Sequence, residues 1–216
     1  RYGALAYYLA ARAEAAPRLK EKNLRHAVGY APDLLPATVD YAYALLAEEN
    51  PRRARKWLLE SWKKAPSALL IEPILEAVKA ASPRAQKRLL RPFTKGDGAV
   101  HHLLAARQAI RTGEVTDAKN ALEDVLLIEE NKEAATLMAD LEHKLRNDDA
   151  AEMWLRRALE APQASTWVCI GCGHTHKQWD AHCSQCDGFD TLRYERPNSR
   201  STSLEAFSPA RTANAI

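Results

Sequence analysis

The chain has 216 residues, with 31 Lys and Arg against 28 Asp and Glu and a formal net charge of +3. Alanine, leucine and charged residues dominate while glycine and phenylalanine are scarce, a balance that favours helices over sheets. A charge so mild and so mixed in sign argues against a dedicated nucleic-acid binder, and no run of 18 apolar residues is present to span a membrane.

From Arg1 to Pro162 the pattern is helix, short break, helix, repeated. Helix starts are marked by Pro17, Asn50-Pro51, Ser82-Pro83, Gly113-Glu114 and Asn147-Asp148. Each precedes apolar residues at helical spacing, such as Leu58 and Trp62 or Leu122, Val125 and Leu126. The marks recur every 31 to 34 residues, roughly, which is the period of a helix–turn–helix solenoid. Pro73 is expected to interrupt one helix of the third repeat, and Pro92 to end its other helix early.

Side chains along these helices suggest surfaces before they suggest chemistry. Tyr7, Tyr8, Tyr41 and Tyr43 fall on the first helices of their pairs and are candidates for a partner-binding groove, with core packing as the plainer reading. Basic residues gather on second helices: Arg52, Arg53, Arg55, Lys56, Lys63 and Lys64, then Arg84, Lys87, Arg88 and Arg91. They read as a solvated outer face, with an anionic lipid or an acidic partner as the minor alternative. His101 and His102 are adjacent on a helix and diverge by about 100°, so they do not share one ion.

All four cysteines lie in one short stretch, as Cys169-x-x-Cys172 and Cys183-x-x-Cys186. Two such pairs separated by about ten residues point to a closed four-thiolate metal site, and the clustering fits a reducing compartment. Gly173 and Gly188 follow the pairs where turns of positive φ are expected. Residues 166–169 and 191–194 read as strands of a three-stranded ribbon, with Trp167, Trp179, Phe189 and Tyr194 as its miniature core. Haem attachment would need His directly after a pair, where Gly173 and Asp187 stand. Iron in a rubredoxin-like site uses the same four sulfurs; the short spacing favours one structural zinc. His174, His176 and His182 read as exposed loop residues, and two bases, Lys177 and Arg193, make too sparse a surface for phosphate binding.

The fold expected is therefore mostly α: a helical-hairpin solenoid of about five pairs over 1–162, a small β zinc-ribbon or rubredoxin-like module over 163–197, and a disordered tail over 198–216. The short linker leads one to expect the ribbon to pack on the solenoid's end as a cap.

The repeats resemble tetratricopeptide (TPR) repeats in their small and apolar positions. These are Ala42, Ala54, Leu58 and Ser61 in the second repeat; Ala106, Ala118, Leu122 and Val125 in the fourth; and Ala139, Ala151, Leu155 and Ala158 in the fifth. Such repeats followed directly by Trp167-Val-Cys-x-x-Cys-Gly, Trp179, Cys-x-x-Cys and Phe189-Asp-Thr-Leu resemble the HemY-type TPR proteins of bacterial inner membranes. LapB-type regulators of lipopolysaccharide assembly share the same two parts and are the second choice. Either resemblance implies a non-enzymatic adaptor that binds protein partners through a concave TPR face. It would sit at the inner membrane with its soluble region in the cytoplasm and its anchor upstream of Arg1. The first family adds a link to protohaem synthesis; a haem- or iron-binding redox accessory is the outside alternative. The residues themselves show no acid/base pair, nucleophile constellation or phosphate-binding glycine loop at meaningful spacing.

Overall fold

The computed structural model describes residues 1–197; the segment 198–216, expected to be a disordered tail, lies outside the described residues. The chain divides into two compact units, Arg1–Pro162 and a second that begins at Gln163.

The first unit holds ten helices: α1 (Tyr2–Ala13), α2 (Pro17–Tyr30), α3 (Leu35–Ala47), α4 (Pro51–Lys64), α5 (Ile71–Glu76), α6 (Pro83–Thr94), α7 (Ala99–Thr112), α8 (Val115–Ile128), α9 (Lys132–Lys144) and α10 (Asp148–Glu160). Apart from α5, each helix packs chiefly on its neighbours in sequence, which is the connectivity of a TPR-like solenoid. Three even-numbered helices begin on a proline, Pro17, Pro51 and Pro83, whose missing N–H would have no partner there in any case. Asn50 Oδ1 accepts the Arg53 amide at 3.2 Å to cap α4, and Asn131 Oδ1 accepts the Ala134 amide at 3.0 Å to cap α9.

Three odd-numbered helices end in one shared device. After α3, the amides of Glu49 and Asn50 donate to the carbonyls of Leu46 and Leu45; after α7, Gly113 and Glu114 donate to Ile110 and Ala109; after α9, Arg146 and Asn147 donate to His143 and Glu142. This is a Schellman turn, and its left-handed residue is Glu49 (φ 55°), Gly113 (φ 76°) or Arg146 (φ 62°). The turn reverses the chain so that the even helix returns along the odd one.

Core positions follow the small-and-apolar pattern read from the sequence. Ala42, Ala54, Leu58, Ala106, Ala118, Leu122 and Val125 have no exposed surface, and Ala139, Ala151 and Ala158 are buried. Alanines let the helix axes approach, and the leucines fill the adjoining groove. Leu155 differs: it is exposed on α10, with Met153 and Leu159.

The third pair departs from the others. A 3-10 turn over Ala68–Leu70 leads into α5, only six residues long around Pro73, and α5 packs on α3 and α4. Pro92 does not end α6, which continues to Thr94. In the last turn of a helix a proline removes only one backbone hydrogen bond, so the helix tolerates it there. Trp62, fully covered, fills the space beside α6 and α7, with its ring edge-on to Phe93 and His101.

The second unit is built on a three-stranded antiparallel sheet of order β2-β1-β3, with β1 (Thr166–Cys169), β2 (Thr175–His176) and β3 (Leu192–Glu195). Trp167 on β1 lies opposite Tyr194 on β3, their rings 5.3 Å apart. Trp167, Val168, Trp179 and Leu192 are buried. Phe189, expected in this small core, keeps 39% of its surface exposed at the rim, where its ring meets His182 at 5.1 Å.

Candidate functional site

Two hairpin knuckles bring the four cysteines together. In the first, the Cys169 amide donates to the His174 carbonyl and the Gly173 amide returns to the Cys169 carbonyl. In the second, the Cys183 amide donates to the Gly188 carbonyl and the Asp187 amide returns to the Cys183 carbonyl. The spacing is identical, so the two knuckles are local copies of one turn. Each needs a left-handed residue directly after its second cysteine: Gly173 at φ 74° and Asp187 at φ 57°. Gly188 was expected to supply positive φ and does not. It is needed for space, since a Cβ there would meet Thr191 Cγ2 at 2.9 Å and Cys186 Sγ at 3.3 Å.

All four sulfurs lie within 4.8 Å of one another, with Cys169 to Cys186 at 3.7 Å and Cys172 to Cys183 at 3.6 Å. Four sulfurs placed tetrahedrally about 2.3 Å from one ion would be about 3.8 Å apart, so the cluster has the dimensions of a single metal site. The knuckle amides point at the sulfurs: Gly171 and Cys172 at Cys169, His174 at Cys172, and Gly188 at Cys186.

The protonation pattern shows why a cation suits this cluster. Burial alone would raise the Cys169 thiol, but the Thr191 hydroxyl at 3.2 Å and the two backbone amides outweigh it and bring it down to about 6. Burial pushes Cys172 up to about 12, and the neighbouring sulfurs add to that rise. One thiolate forms easily at Cys169, and its crowding then opposes a second at Cys172. A bound cation would remove that opposition and hold all four as thiolates.

Two residues beside the cluster gain a role only in the fold. Thr191 Oγ1 accepts from the Cys169 thiol at 3.2 Å and donates to the Gly188 carbonyl at 2.9 Å, tying both knuckles together, and its one proton turns to the sulfur when Cys169 is a thiolate. His176 was read as an exposed loop residue; it lies half-buried on β2 with Nε2 3.4 Å from Cys183 Sγ. His174 and His182 are exposed. Neither Thr nor His carries a motif at this spacing, so only the folded knuckles reveal their role.

The tyrosines divide into two kinds. Tyr8 is buried with its hydroxyl donating to Asp40 at 2.8 Å, and Tyr41 is buried with its hydroxyl accepting from Arg53 at 3.1 Å. Tyr7 is partly exposed and stacks on His26 and Tyr30. Tyr43, 41% exposed, borders a cavity of about 500 Å³ together with Glu14, Lys20, Asp40 and Ala47. The odd-numbered helices also carry a ladder of ion pairs that sequence reading missed. Arg107 on α7 reaches Glu72 on α5 at 3.0 Å and also pairs with Glu133 on α9, while Arg111 pairs with Glu72 and with Glu76. His102 pairs with Asp124 at 3.2 Å and His101 lies against Trp62, so the two histidines serve different contacts.

No family model matches the sequence, and no curated protein matches it. Solved structures with a similar chain course include TTC0263, a TPR protein of Thermus thermophilus, at 16% identity and a TM-score of 0.48; 73% of this chain and 91% of that one are covered. MamA residues 41 to the end from Desulfovibrio magneticus is 11% identical, with a TM-score of 0.45 over 73% and 94% of the two chains. PilW, a type IV pilus biogenesis factor, is 15% identical, with a TM-score of 0.44 over 70% and 74%.

Proposed function

We propose that this protein is a non-enzymatic interaction scaffold whose C-terminal module folds around one structural zinc ion held by Cys169, Cys172, Cys183 and Cys186. The observation that carries the metal reading is the convergence of four sulfurs within 4.8 Å on two equivalent knuckles. A soft tetrathiolate set selects zinc or iron among common ions, and four ligands leave no open position for a substrate. The ion would supply folding energy to a unit whose buried core is a handful of side chains. The scaffold reading draws its support from the odd-numbered helices, where Tyr43, its cavity and the ion-pair ladder offer a polar face suited to a charged peptide or helix.

The sequence resemblance extends this proposal. A HemY-type protein would act at the bacterial inner membrane, its soluble region in the cytoplasm, in support of protohaem synthesis; a LapB-type protein would serve lipopolysaccharide assembly there. Elemental analysis of the purified chain tests the metal: one zinc per chain is expected, and a red protein with one iron would replace zinc by a rubredoxin-like centre. Crosslinking and pull-down from membranes tests the adaptor. A saturable Soret shift at stoichiometric haem would replace it with the haem-binding alternative.

A further inference from the structure

The even-numbered helices α2, α4 and α6 share a pattern that the proposed function leaves unused. Counting from the initiating prolines, the second residue is Arg18, Arg52 or Arg84, and the sixth is Lys22, Lys56 or Arg88. The ninth is Arg25 on α2 and Arg91 on α6, with Leu59 between them on α4. Residues at such intervals of four and three lie on one stripe of a helix, about 6 and 4.5 Å apart along the axis. Every one of these bases is exposed, and the stripe points away from the buried Leu24, Leu58 and Leu90.

The three helices lie side by side. Arg53 of α4 pairs with Glu21 of α2 at 3.2 Å, and α4 packs on α6. The stripes therefore form a two-dimensional basic field, in register from pair to pair. Almost nothing in the field neutralises it. Glu21 is committed to Arg53, Glu60 is the only other carboxylate on α2 and α4, and α6 has none. Among the described residues, none of the striped bases is within ion-pair distance of a carboxylate. The field also stops abruptly. The same three positions are Thr116, Asn120 and Glu123 on α8 and Asp149, Met153 and Arg156 on α10. An ordinary solvated helix face does not repeat one sign at equivalent positions across three pairs and then lose it.

We propose that this face of α2, α4 and α6 docks on an anionic phospholipid surface. A broad field of flexible cationic side chains, spread over adjacent helices, suits a plane of headgroup phosphates. The stripes carry no exposed aromatic ring on which bases would stack, and the positive charge follows no single groove, so single-stranded nucleic acid is poorly served. This surface uses different side chains from the Tyr43 cavity and the ion-pair ladder and does not rest on the adaptor reading, so either can fail alone.

Co-sedimentation of the full chain with vesicles tests it. Vesicles of phosphatidylcholine with about one third phosphatidylglycerol should bind the protein, vesicles of phosphatidylcholine alone should not, and about 0.5 M salt should release it. Replacing the middle row, Lys22→Gln, Lys56→Gln and Arg88→Gln, should lower the partition coefficient on the order of 100-fold, about fivefold for each base removed. A control with the same loss of charge elsewhere, Lys132→Gln, Lys144→Gln and Arg156→Gln, should bind nearly as the parent does, and circular dichroism should show both variants folded. Equal binding to neutral vesicles, binding that survives salt, or equal losses in the two triple variants would overturn the proposal. So would a generic nucleic-acid duplex that displaces the vesicles at equal phosphate concentration, which would reassign the face to nucleic acid.

Discussion

At the scale of single residues, Tyr8 makes the most direct link between geometry and solution behaviour. Burial, then the neighbouring Asp40, push its phenol far above the ordinary tyrosine value of 10.0. The folded protein keeps this proton where the unfolded chain would release it. The stability Tyr8 contributes is therefore whole below about pH 10 and is lost as pH climbs from there toward the raised folded value. Tyr8→Phe should cost about 1 kcal/mol near neutrality through the lost hydrogen bond, and should flatten the alkaline decline. Thermal melts between about pH 7 and 10.5 read both effects; an unchanged alkaline slope would place the sensitive group elsewhere. In the second unit, His176 is placed to hydrogen-bond the Cys183 sulfur. Outer partners of this kind typically change metal affinity by about 10- to 100-fold. His176→Ala should weaken zinc by that order in a competition with a chromophoric chelator, and unchanged affinity would make the contact incidental.

At the scale of elements, the shared Schellman turn explains how three helical hairpins close with different residues at one backbone position. Gly113 fits its left-handed conformation, whereas Glu49 and Arg146 hold it against the steric cost of a Cβ. Glu49→Gly and Arg146→Gly should each stabilise the protein by about 0.5 kcal/mol, the strain relieved exceeding the added chain entropy by a little. Gly113→Ala should destabilise by about 1 kcal/mol. Chemical denaturation of the three variants checks the signs; destabilisation by both glycine substitutions would mean that the native side chains contribute more at these turns than strain takes away. Pro17, Pro51 and Pro83 made the even helices legible from sequence, because proline at a first turn has one physical reading. The Schellman turns were not legible, because glutamate and arginine carry no signal for positive φ.

At the scale of the whole molecule, the two units differ in what holds them together. The helical unit buries continuous rows of alanine and leucine and is expected to fold without a metal. Among its described residues the second unit buries few side chains, and burial followed by the neighbouring sulfurs opposes ionisation of Cys172. Replacing Cys169 and Cys183 by Ser, or stripping the ion with a chelator, should abolish the sheet's protection from hydrogen exchange. Most of the far-ultraviolet helical signal should remain. Loss of the helical signal along with the sheet would show that the two units fold as one.

Sequence by itself determined the helix period, the even-helix starts and the identity of the four cysteines that cluster. Those features rest on local chemistry: proline at a first turn, alanine at a crossing, and thiolates two residues apart on one tight turn. Tertiary structure decided everything that needed distant residues side by side. Pairing across repeats makes Tyr8 and Tyr41 packing residues and leaves Tyr43 at a cavity. It joins Glu72, Arg107 and Glu133 into a ladder and brings the basic stripes of α2, α4 and α6 side by side. It also brings Thr191 and His176 to the sulfurs of Cys169 and Cys183. A side chain's neighbours across a repeat lie roughly thirty residues away in the chain, and only the packing of one pair on the next selects which of them it meets.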